Sequence, residues 1–187
     1  MMKKCCLVIA MSLALAAVCG CSSTKSEENV NVGAINPWVD VNADQATKGM
    51  TNPFKAPEGA KNEIWQTFVS DSPSEQEVKY IQLLFDMDGT QFCAREYEGI
   101  AEDADIAGMY FEWTAVEEDR LSNWGNGGLT CKSYSYVKDE NDPNDYDAML
   151  VEWYDTENRI KYSLSATGED LNGLDLVAVA DMMRDNQ

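Results

Sequence analysis

Val78-Lys79-Tyr80-Ile81-Gln82-Leu83-Leu84-Phe85-Asp86-Met87 runs into Asp88-Gly89 and out again through Thr90-Gln91-Phe92-Cys93-Ala94-Arg95-Glu96-Tyr97. The first arm alternates, with Ile81, Leu83, Phe85 and Met87 on one side, which is the two-residue period of a strand with a buried face. Asp-Gly suits a two-residue type I′ turn, because both central residues must take positive φ. The stretch therefore reads as a β-hairpin. A hairpin alone is barely stable, so the rest of the chain must supply more strands and a cover for the apolar side.

Working outward, strand patterns recur on both flanks. Glu63 to Val69 carries Ile64, Trp65, Phe68 and Val69. Met109 to Val116 places Met109, Phe111, Trp113 and Ala115 on one face, and Leu129 to Val137 alternates after the turn Gly125-Asn126-Gly127-Gly128. A second hairpin joins Ala148–Tyr154 to Arg159–Ala166 through Asp155-Thr156-Glu157-Asn158, with Met149, Val151 and Trp153 able to face Ile160, Tyr162 and Leu164. Helical signals stand at the two ends. Asn42 to Gly49 has an N-cap residue first and a glycine last, and Leu174, Val177, Ala178 and Met182 fall on one helical face. The loop from Met50 to Gly59 holds two prolines. The expected fold class is α+β, a mostly antiparallel, hairpin-connected sheet of about seven strands. A short N-terminal helix and a C-terminal helix pack on it, in one domain spanning 37–187.

Upstream of that domain the character changes. Lys3 and Lys4 precede the apolar run Leu7 to Val18, which is too short for a bilayer span of about 20 residues and reads as an export signal over 1–20. Val18-Cys19-Gly20-Cys21 resembles the bacterial lipobox, which makes Cys21 the expected lipidation site. An ordinary secretory signal cut after Gly20 is the alternative. Residues 21–36 are polar and aperiodic, and read as a lipid-anchored stalk. The expected address is the bacterial cell envelope, outside the cytoplasm, with the membrane as a partner through the lipid at Cys21.

Composition narrows the chemistry. The formal charge is −19 and there is no histidine. So acidic a chain repels the phosphates of nucleic acid and of an anionic lipid surface, so no nucleic-acid partner is expected and the lipid alone must hold the membrane. Without histidine there is no Ser-His-Asp or Cys-His arrangement, and most zinc and haem sites are excluded. No cofactor motif and no phosphate-binding loop is present.

Asn36-Pro37-Trp38 with the short helix behind it, the paired hairpins, Trp153-Tyr154-Asp155 and Tyr162-Ser163-Leu164-Ser165 resemble a group of uncharacterised Firmicutes-type cell-surface lipoproteins. That group is related to extracytoplasmic domains of unknown function in anti-sigma-factor-like proteins. The resemblance implies the α+β fold and the surface address, and brings no catalytic residue.

Several side chains remain as candidates. Cys93 and Cys131 are either a disulfide pair, suited to an oxidising compartment, or two free thiols packed as small hydrophobes. The run Asp139-Glu140-Asn141-Asp142-Pro143-Asn144-Asp145-Tyr146-Asp147 is rich in oxygen ligands but lacks the EF-hand glycine and closing glutamate, so an acidic solvated loop is expected and no metal. Trp38 is expected to dock on the domain. Trp124, among turn residues, is either an exposed partner contact or a core residue folded back on the sheet. The expected function is a membrane-anchored, non-catalytic binding or sensing module for an unknown protein, peptide or glycan. The alternative is a secreted carboxylate-dependent hydrolase acting on glycans.

Overall fold

The computed structural model describes residues 37–68, 79–138, 146–168 and 171–184. In chain order these form β1 (Trp38–Val41), α1 (Ala43–Ala46), β2 (Lys61–Phe68), β3 (Tyr80–Met87), β4 (Thr90–Glu98), β5 (Ala115–Leu121), β6 (Leu129–Val137), β7 (Tyr146–Asp155), β8 (Ile160–Thr167) and α2 (Leu176–Met182). The strands make one antiparallel sheet in the order β1-β2-β3-β4-β8-β7-β6-β5. It is two four-stranded meanders whose last strands, β4 and β8, pair at the centre. The fold is α+β, with eight strands among the described residues where about seven were expected.

Local chemistry explains the secure parts. Asp88 (φ 51°) and Gly89 (φ 88°) take the positive φ that a type I′ turn needs, and Met87 pairs with Thr90 across it. In the second hairpin Trp153 pairs with Tyr162 and Val151 with Leu164. The helix α1 is a single turn closed by a capping box: Asn42 accepts from the Gln45 N–H at 2.8 Å, and the Gln45 side chain accepts from the Asn42 N–H at 3.3 Å. It stops well before Gly49. The helix α2 begins after its N-cap Asp175, so Leu174 lies in the preceding turn rather than in the helix.

One strand lies elsewhere than expected. Residues 109–113 are not a strand, and β5 instead runs through the charged stretch Val116-Glu117-Glu118-Asp119-Arg120. The chain from Gly99 to Thr114 is a strap laid across one face of the sheet. Carbonyls of its first part, from Ile100 to Ala107, accept hydrogen bonds from sheet side chains. Tyr154 donates to Ile100 (2.9 Å), Lys161 to Glu102 (2.9 Å), and Arg95 to Ile106 and Ala107 (2.9 and 2.7 Å).

The core lies under the other face. Trp65, Leu83, Phe85, Phe92, Leu164 and Trp153 pack there beneath Leu176, Val179, Ala180 and Met183 at the C-terminal end. Trp124 is the pin of this side. It is 2 % exposed, makes edge contacts with Trp153 (4.7 Å) and Tyr162 (4.6 Å), and donates its indole N–H to the Ala180 carbonyl at 3.0 Å. The partner-contact reading of Trp124 is corrected. Its neighbours come from β7, β8 and α2, which a local reading of the turn does not see.

Candidate functional site

The strap covers only part of its face, and what lies beside it is organised by register. Reading across the sheet, Asp40, Gln66, Gln82, Arg95, Ser163, Glu152, Lys132 and Glu118 are successive cross-strand partners, one from each strand. An unbroken polar row thus crosses the whole face. Half of it is joined directly: Arg95 donates to Gln82 (2.7 Å), Gln82 to Gln66 (2.6 Å) and Gln66 to Asp40 (2.8 Å). The buried Gln82 amide and the half-buried Gln66 and Arg95 are tolerated there because each finds a partner.

The other half of the row opens into a groove of about 730 Å³ between the strap and β5–β6. Its walls are Glu102 and Asp103 of the strap and Glu118 of β5, and its floor is Lys132, Glu152 and Lys161. Lys161 is buried along its stem, with its ammonium 3.2 Å from the Glu152 carboxylate. Glu152 also takes the Tyr134 hydroxyl. Burial, then the negative charge and hydrogen bond of Glu152, raise the Tyr134 pKa. Lys161, Glu152 and Tyr134 therefore form a connected floor. A smaller depression of about 180 Å³ shares that floor and ends on Trp113.

Beyond it runs a surface of rings. Tyr134 lies 5.5 Å from Trp113, Trp113 lies 5.4 Å from Phe111, and Phe111 lies 5.0 Å from Tyr136. The planes turn by 37–50° at each step. Phe111 is exposed, and Tyr110 beside it is 87 % exposed.

The remaining candidates fall away from this groove. Cys93 and Cys131 are free thiols. The two strands that carry them are separated by β8 and β7, about 14 Å in all, and the residues point to opposite faces, so the disulfide reading is corrected. Burial raises both thiols, Cys131 to about 11, which keeps them protonated. Trp38 is half-buried against Phe68 and Tyr80 at 5.7 and 4.8 Å. Residues 139–145 of the acidic run, and Cys21 with all of 1–36, lie outside the described residues. Among the described residues no group of three or more acids or cysteines is placed to hold a metal.

The strongest electrostatic perturbation of a carboxyl is under the core face, at a residue that the sequence reading passed over. Glu96 is 0 % exposed; one oxygen accepts the Phe54 N–H at 3.1 Å and the other has no partner. Burial lifts its pKa to about 8, against the pull of that hydrogen bond and of Arg184 and Lys79. Its signal in the sequence was an acid on the apolar side of β4, in phase with Phe92 and Ala94. The groove had a weaker one, the charged residues Lys132 and Glu152 in mid-strand.

No protein-family model, no curated protein and no solved structure matches this chain.

Proposed function

We propose that this chain is a lipid-anchored, extracytoplasmic module of the bacterial cell envelope that binds its ligand in the groove beside the strap and performs no chemistry on it. The observation that carries the binding reading is the connected floor. Glu152 is ion-paired to Lys161 and hydrogen-bonded to Tyr134, an arrangement that fixes donors and acceptors in place and ties up the acid. A carboxylate-dependent hydrolase would need an acid held protonated next to its substrate. The carboxyl that burial raises is Glu96, sealed under the opposite face. The envelope address rests on the Val18-Cys19-Gly20-Cys21 lipobox and on the family resemblance.

Metabolic labelling with palmitate tests the anchor. The wild-type chain should take up label and sediment with membranes, and Cys21→Ala should lose both. A Cys21→Ala variant that is still labelled and anchored would overturn the lipid assignment. Release of reducing ends from glycans by the purified protein would overturn the non-catalytic reading.

A further inference from the structure

We infer that the groove takes a neutral oligosaccharide, an inference that rests on the binding-module reading of the same site. Charge comes first. The trough sets the acids Glu102, Asp103, Glu118 and Glu152 around the ammonium groups of Lys132 and Lys161. A polyanion meets too many carboxylates, on a chain whose formal charge is already −19. A basic peptide meets two lysines in the floor, and the central acid, Glu152, is already neutralised by one of them. A mixed-sign trough of this kind favours a ligand with no net charge that both donates and accepts hydrogen bonds at many points.

Shape and the rings narrow the class further. The groove is an open trough rather than a closed cavity, and its volume of about 730 Å³ is within the range of pockets that hold several-ring ligands. Tyr134 lines it, half-buried Trp113 lines the depression that adjoins it, and Phe111, exposed, lies 5.4 Å beyond Trp113. A pyranose has an apolar C–H face for such rings and a rim of hydroxyls for carboxylates and ammoniums.

The test is calorimetric titration of the full-length protein in detergent micelles with maltohexaose, cellohexaose and chitohexaose, and with poly-L-lysine and polygalacturonate as charged comparators. We expect at least one neutral hexaose to bind with little dependence on salt, Trp113→Ala to weaken it at least tenfold, and Tyr134→Phe to weaken it severalfold. Tyr134→Phe keeps the ring and removes only the hydroxyl, so it holds the inference to account even where Trp113→Ala perturbs folding; melting curves accompany both. Binding of poly-L-lysine but of no neutral hexaose, weakened by Glu118→Gln, would overturn the sugar inference and leave the groove as a binding site. If no probe binds, both the sugar inference and the groove reading fall.

Discussion

The two faces of this sheet are closed by different physics. Under one, Trp124, α2 and the loop bearing Phe54 press on Trp65, Phe85, Trp153 and Leu164, and apolar burial closes the face. On the other, three polar side chains, Arg95 of β4, Tyr154 of β7 and Lys161 of β8, make four hydrogen bonds to the carbonyls of a strap that buries only Ile106 and Ala107 of its own side chains. Burial is non-directional, so the first face can be sealed completely by whatever apolar surface is at hand. Hydrogen bonds need a partner at each point. The second face is covered where the strap crosses it, and the groove opens beside the strap. Two polar groups on the sealed face show the rule from the other side: one Glu96 carboxyl oxygen and the Trp153 indole N–H are left unpartnered.

The comparison is broken most severely at Trp124. Trp124→Ala empties a space between Trp153, Tyr162 and α2 and leaves the Ala180 carbonyl without its donor. A loss of about 3–5 kcal/mol is expected in denaturant unfolding. A loss below about 1 kcal/mol would mean that α2 does not depend on this pin.

Glu96 tests the sealed face by pH. Its folded pKa stands at about 8, well above its ordinary 4.5, so between those values the folded chain keeps a proton that the unfolded chain has released. Stability from this group is full below the ordinary value and is lost as pH rises through about 8. The difference between the acid and alkaline limits is of order 5 kcal/mol. Glu96→Gln should flatten that slope relative to wild type, which separates Glu96 from the general repulsion of an acidic chain. Parallel stability–pH curves for the two proteins would refute the assignment.

Register decides which side chains belong to which face, and the Asp88-Gly89 turn sets it. A Cβ at Gly89 meets nothing within 4 Å, so the cost of Gly89→Val comes from its φ of 88° alone. About 1–3 kcal/mol is expected. An unchanged melting temperature would mean that the turn tolerates another geometry. The smallest effect belongs to the open face. Trp113→Ala removes a half-buried ring that packs on Phe111 and Tyr134, and should cost no more than ~1 kcal/mol in thermal melts. A cost equal to that of Trp124 would erase the distinction between the faces.

The sequence by itself determined what depends on near neighbours. Alternation in Ile81, Leu83, Phe85 and Met87 gave the strand its sides, Asp88-Gly89 gave the turn, and Asn42 gave the start of α1, because each rests on residues a few positions apart. It did not reveal that residues 109–113 leave the strand pattern, since Phe111 and Trp113 pack on Tyr136 and Tyr134 of β6, more than 20 positions along the chain. Only the tertiary structure decided that β4 pairs with β8, and with that pairing the row from Asp40 to Glu118, the burial of Trp124 and the separation of Cys93 from Cys131 all followed. The physical reason is that a long-range strand pairing is selected by the burial of the whole apolar face at once. No single stretch of chain carries that information.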